Sequence, residues 1–236
     1  MKIGIMQPYF LPYIGYFQLI NAVDKFIVYD DVNYIKQGWI NKNNFLSNNA
    51  ASTFIIPLDS PSSFVKIRDT KINSKQFDFW KVKILKTLKQ NYKRAPYFDE
   101  CFDLFSDIIN VESFNMSISK LNYLSLIKIS NYLEINTEII ESSIKYNNSN
   151  LKSKDRIIDI CLKENASVYI NPIGGIDLYN KIDFNELGID LFFIKTDKIN
   201  YNQFNDNFIS SLSIIDVLMF NSADEIKKML DNYELI

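Results

Sequence analysis

The sequence predicts an α/β protein with a mainly parallel, Rossmann-like sheet and a helical layer supplied by the middle of the chain. Three observations predict it. The apolar run Lys2-Ile-Gly-Ile-Met6, the stripe from Tyr13 to Val23 and the run Lys25 to Tyr29 spell strand, helix, strand within about 30 residues, the length that favours a parallel pair. Short apolar runs return at Glu138–Glu141, Ser167–Ile170 and Leu191–Lys195. Between the two groups, from about residue 76 to 133, the spacing is helical throughout.

Each element has a local reason. Gln7-Pro8 stops the first strand, and Pro12 suits the first turn of the helix that follows, where its missing N–H costs nothing. Ile14, Phe17, Leu19, Ile20 and Val23 then approximate the period of a helix. Thr53–Leu58 reads as a third strand. Phe77, Trp80, Ile84, Leu85 and Leu88 make an apolar stripe on a helix over Gln76–Tyr92 with lysines opposite. Helices are expected at Asp99–Val111, Ser117–Leu133, Asp155–Lys163, Ile214–Phe220 and Asp224–Leu230. No repeat and no Pro/Ser/Gly-rich linker divides the chain, so residues 1–236 read as one domain.

Composition narrows the chemistry. At 236 residues and 47% hydrophobic, the chain can bury roughly 70% of its unfolded surface. With 26 Lys+Arg against 28 Asp+Glu, no global field would hold DNA. There is no histidine, so His-based triads are excluded, and no GxSxG, P-loop or GxGxxG fingerprint occurs. Cys101 and Cys161 lie far apart with no CxxC, which suggests neither zinc nor a disulfide and points to a reducing compartment. No signal-peptide pattern and no membrane-length apolar run appear, so a cytoplasmic location away from membranes is expected.

The segment Gln7-Pro-Tyr-Phe-Leu-Pro-Tyr-Ile-Gly-Tyr16 parallels the Pro-x-His-x-Gly-His loop of nucleotidylyltransferases (the HUP group), where a helix N-terminus receives phosphates. Tyrosines replace both histidines. A phenol donates a hydrogen bond to a phosphate but brings no positive charge. The competing reading is that these aromatics pack the first helix.

The same run, with Val28-Tyr-Asp-Asp-Val32, Gly38-Trp-Ile-Asn-Lys42, Asn171-Pro-Ile-Gly-Gly175 and Leu212-Ser-Ile-Ile-Asp216, closely resembles the WbqC-like family over most of the chain. That family's members sit in bacterial O-antigen and other surface-polysaccharide gene clusters. The resemblance implies a role in making or decorating a nucleotide-linked sugar.

Candidate site residues follow from these segments. Asp30 and Asp31 end a strand, where paired carboxylates can hold Mg²⁺ or one can act as general base; a solvated turn is the alternative. Tyr16 joins them as a catalytic candidate. Gln7, Tyr9 and Tyr13 are candidates for phosphate or acyl oxygens, Lys36, Asn41 and Lys42 for a diphosphate, and Trp39 for stacking on a base. Lys71 and Lys75 precede a helix and can approach its anion-attracting end. Asn171, Gly174 and Gly175 form a tight turn or a close backbone approach to ligand. Ser213 and Asp216 could cap the last helices or touch substrate.

The expected partners are a nucleotide-linked amino sugar and a small acyl or aminoacyl donor, with no resident metal, and ATP or Mg²⁺ are the cofactors kept open. A homodimer is also kept open. The leading expectation is acyl or aminoacyl transfer to the sugar amine. A divergent nucleotidylyltransferase or adenylating enzyme, and a non-catalytic nucleotide-sugar-binding protein, are the alternatives.

Overall fold

The computed structural model describes residues 1–236. The chain opens with β1 (Lys2–Met6), α1 (Ile14–Asn21) and β2 (Lys25–Val28), then β3 (Lys42–Ser47) and β4 (Ala50–Ile55). Three helices follow: α2 (Ser74–Tyr92), α3 (Phe98–Ile109) and α4 (Ile118–Tyr132). Next come β5 (Glu138–Ile140), α5 (Ser153–Lys163), β6 (Val168–Pro172), α6 (Lys181–Asn185) and β7 (Asp190–Thr196). The end is α7 (Ile214–Phe220), α8 (Ala223–Leu230) and β8 (Tyr233–Leu235).

Six strands form one sheet in the order β5-β2-β1-β6-β7-β8. The first five are parallel and β8 is antiparallel to β7. Counted along the chain, the parallel strands lie third, second, first, fourth, fifth, the doubly wound Rossmann order. Alternation sorts the two faces. Phe26, Val28, Ile170 and Ile194 enter a large apolar cluster with α1, the helices α2–α4 and α7–α8. Ile3, Ile5, Ile27, Tyr169, Leu191 and Phe193 enter a smaller cluster with α5 and α6.

Caps fix several helix starts. Asn73 accepts from Gln76 N before α2, Ser117 from Lys120 N before α4, and Ser222 with Glu225 completes a capping box before α8. α1 differs: Tyr13 precedes it with no side-chain cap, which leaves the N–H groups of its first turn without a side-chain acceptor.

Two segments are arranged in ways their local sequence does not specify. The segment near Thr53 joins no parallel sheet; β4 pairs antiparallel with β3 as a separate hairpin. Its turn is Asn48-Asn49, with φ of 49° and 61°, the left-handed conformation a tight hairpin turn requires and asparagine tolerates. The same pairing makes Lys42 the start of a strand.

The second is Asn171–Gly175. Residues Ile173–Leu178 wind into 3-10 turns, and neither Gly174 nor Gly175 takes a positive φ. Gly175 is needed for space, because a β-carbon there would stand 1.9 Å from Asn171 Nδ2. A β-carbon on Gly174 would meet nothing within 4 Å.

Candidate functional site

Open parallel sheets bind ligands beyond the carboxyl ends of their strands, at the point where strand order reverses. Here that point lies between β1 and β6, and the loops after β1, β2, β6 and β7 surround it. A cleft of about 780 Å³ opens between the N-terminus of α1 and the long loop from β7 to α7. Its size falls within the roughly 300–1,000 Å³ of small-molecule sites.

Tyr13 and Ile14 form one wall, and the other is polar, with Thr196, Lys198, Asn200, Asn202, Ser210 and Ser211 beside the two carboxylates Asp197 and Asp206. Burial pushes the Tyr13 hydroxyl up, and the Thr196 hydroxyl beside it pulls back. Gly15 makes the arrangement possible. A β-carbon on it would stand 2.3 Å from the Tyr13 ring and 2.5 Å from Thr196 Oγ1, so helix and strand end meet this closely only through a glycine.

The β7–α7 loop hangs on one carboxylate. Asp216, fully buried, accepts from Tyr92 Oη at 2.7 Å, Tyr201 Oη at 2.6 Å and Gln203 Nε2 at 2.7 Å. Gln203 in turn brackets Ile209, donating to its carbonyl at 3.1 Å and accepting from its N–H at 2.8 Å. Burial pushes the Asp216 carboxyl up and its three donors pull it back. Ser213 caps α7 and also donates to Leu11 O at 2.7 Å, tying the loop end to the segment after β1.

Asp30 and Asp31 are both buried but diverge. Asp31 turns to the α5 side, where it forms an ion pair with the buried Arg156 and accepts from Ser143 Oγ. Asp30 turns the other way and accepts from Ser142 Oγ at 2.6 Å, Ser119 Oγ at 2.7 Å and Ser143 N at 3.2 Å. Burial pushes its carboxyl up, with the serines pulling back. It lines a small polar pocket of about 210 Å³ with Arg68, Lys120 and Glu141. No group of three or more His, Cys, Asp or Glu side chains comes together to hold a metal, and both aspartates spend their oxygens on protein donors. The residues present therefore do not fit a Mg²⁺ site.

The other candidates divide. Tyr16 is core: its ring is 1% exposed, packs on Phe26, and donates to Gln7 O at 2.9 Å. Tyr9 lies 5.8 Å from it, partly buried. Asn41 holds structure, accepting from Tyr34 Oη at 2.8 Å and donating to Ile56 O at 2.8 Å. Trp39 is exposed with Lys42 Nζ 5.6 Å from its ring centre, and Lys36 is exposed. Lys71 bonds Asn115 O at 3.0 Å, and Lys75 is exposed in the first turn of α2. Asn171 lies within β6, where Tyr169 donates to its Oδ1 at 3.1 Å, and Gly175 packs against it from the 3-10 turns just beyond. Of all the candidates, Tyr13 alone lines the large cleft.

Asn122 of α4 joins two of these segments. Its amide donates to Pro8 O at 3.0 Å and to Ile40 O at 2.8 Å, so the Gln7 and Trp39 loops are clamped side by side.

A model of the WbqC-like protein family matches residues 7–228, which include every loop just described and leave out β1 and β8. The chain belongs to the WbqC-like protein family. This WbqC-like protein is 30% identical over 226 residues to a Mycobacterium tuberculosis protein named "Uncharacterized protein Rv1507c", covering 95% of each chain. No solved structure matches it. No helix of the WbqC-like chain is long and apolar enough to cross a membrane.

Sequence reasoning reached only the end of the β7–α7 loop, at Leu212 and Ser213, and missed the rest of it, Arg156 and Asn122. The missed part of the loop carries no motif, only its place after a parallel strand. Arg156 and Asn122 sit in amphipathic helices, where single polar residues read as a solvated face.

Proposed function

We propose that the protein binds a nucleotide-linked amino sugar along the carboxyl edge of its parallel sheet and transfers a small acyl or aminoacyl group to the sugar amine, as part of surface-polysaccharide synthesis. The observation that carries the binding half is the 780 Å³ cleft beside the switch point, bordered by the uncapped N-terminus of α1. Such a helix end favours a phosphate. Tyr13, Thr196 and the cleft's serines and asparagines donate to phosphate or ribose oxygens.

The transfer half draws on family membership and on Asp30. From β7 to β2 is three strand spacings, about 14 Å, a length that an extended nucleotide diphosphate sugar covers. Its sugar end then reaches the Asp30 pocket. Asp30, its basicity raised by burial, takes the amine proton as the nitrogen attacks the acyl carbon of a thioester or acyl adenylate. The amide forms as the carbon–sulfur or carbon–oxygen bond to the donor breaks and the thiolate or AMP leaves. Tyr16 and Asp31 act as positioning residues, the first through Gln7 and the second through Arg156.

Mass spectrometry of the sugar after incubation with the protein and a thioester or adenylate donor tests this reading. Acylated sugar is expected, and Asp30→Asn should lower its formation by a factor of about 10² or more. Release of pyrophosphate from ATP without acylated sugar would instead support the adenylating alternative, which the sheet order also suits.

A further inference from the structure

A second pocket, about 530 Å³, lies on the other side of the β7–α7 loop. Three distant segments build it: the β3–β4 turn, the end of α2 and the loop residues Phe204 and Asn205. Five of its lining side chains are carboxamides, Asn48, Asn49, Gln90, Asn91 and Asn205, and its single charge is Arg94. The Arg94 guanidinium carbon lies over Phe204, 5.5 Å from the ring centre, and Phe204 packs on Phe220 and Tyr92.

This chemistry selects a ligand class. A carboxamide sets a donor and an acceptor side by side, which matches the vicinal hydroxyls of a sugar, each of them both donor and acceptor. Guanidinium presents a planar fork to a carboxylate. A nucleobase lacks a free aromatic face here, because Arg94 covers Phe204. A polyphosphate would need more than one cation. We propose that this pocket is a saccharide-binding subsite for an acidic sugar of the uronate type, its carboxylate on Arg94 and its hydroxyls on the carboxamides.

The inference does not depend on the acyl-transfer reading, since it concerns a separate pocket and needs no reaction. The two pockets share the loop pinned by Asp216, with Tyr201 and Asn202 facing one and Phe204 and Asn205 the other.

The test is a ¹⁵N NMR titration of the full chain with three probes: a glucuronate–N-acetylglucosamine disaccharide, its analogue with glucose for glucuronate, and uridine monophosphate. The acidic disaccharide should shift the side-chain amide signals of Gln90, Asn91 and Asn205. The neutral analogue should bind about tenfold more weakly or worse. Arg94→Gln should erase that difference, and Gln90→Ala with Asn205→Ala should weaken both sugars. All three positions are exposed, so an unchanged melting temperature will show that the variants fold. No shift with either disaccharide, preference of this pocket for the nucleotide, or an Arg94→Gln variant that still prefers the acidic disaccharide as the wild type does would each overturn the proposal.

Discussion

The ring of Tyr13 lies across Gly15, so that a β-carbon at Gly15 would stand 2.3 Å from Tyr13 Cε2 and 2.7 Å from its Cζ. The glycine two residues after Tyr13 therefore serves packing at the mouth of the 780 Å³ cleft. In a helix alanine is otherwise preferred to glycine by about 1 kcal/mol, yet here the added methyl meets an aromatic ring and the Thr196 hydroxyl.

Gly15→Ala is accordingly expected to destabilise the protein by about 1–3 kcal/mol, against the propensity gain. Urea denaturation measures it. A neutral or stabilising result would mean that Tyr13 swings aside freely.

The buried pair of Asp31 and Arg156 gives a second expectation. Both side chains are at most 7% exposed, and Arg156 also donates to Asn148 Oδ1 at 2.9 Å and lies 5.1 Å from the Tyr29 ring. Removing one partner strands a buried charge, so Asp31→Asn and Arg156→Met should each cost about 3–5 kcal/mol. The double variant should cost less than the sum of the two, and a thermodynamic cycle reads the coupling. Strict additivity would show that the pair does not hold the β2 loop to α5.

Acid sensitivity should centre on Glu164. Lys25 at 2.6 Å, Lys145 at 2.9 Å and Tyr146 at 2.7 Å all donate to it, and despite the opposing effect of burial they hold its carboxyl down at about 2. A depressed carboxyl stabilises the fold above its unfolded value and loses that contribution as pH falls toward the folded one. The stability gap between wild type and Glu164→Gln should thus be complete above about pH 4.5 and shrink toward pH 2. Asp30 and Asp216 act oppositely: their raised values favour the fold at low pH and lose that effect as pH rises through them. A gap for Glu164→Gln that stays constant from pH 6 to 2.5 would contradict the assignment.

Much of the fold is legible in the residues. The strand-helix-strand opening and the helices α2–α5 follow hydrophobic period, and the structure places them within a few residues of expectation. The β3–β4 hairpin is harder. Lys42-Asn-Asn-Phe-Leu-Ser47 is poor in β-branched residues, and Asn48-Asn49, which signals its turn, is masked by asparagine throughout the chain. The three-residue β8 depends on pairing with β7, a tertiary effect no local pattern carries.

The site was less legible than the fold. Tyr16 shares its motif with Tyr13, but a helix turns them to different surroundings, one into the core and one to the cleft. Asp30 and Asp31 look like a pair in sequence, whereas adjacent residues leaving a strand point to opposite faces. Their side chains share only Ser143, whose N–H binds Asp30 and whose hydroxyl binds Asp31; the other partners, Ser119 and Ser142 for Asp30 and Arg156 for Asp31, also come from segments about 90 to 125 positions away. Before Leu212 the β7–α7 loop is polar and without motif, and only strand order identifies it.

The central claim is that the cleft between α1 and the β7–α7 loop receives a nucleotide-linked amino sugar. Calorimetric titration of the wild type and Thr196→Val with UDP-, GDP- and dTDP-linked amino sugars tests it most directly. Binding of at least one by the wild type, weakened about tenfold when the Thr196 hydroxyl is lost, is the predicted result. Absence of binding by all three, or equal affinity in the two proteins, would contradict the account.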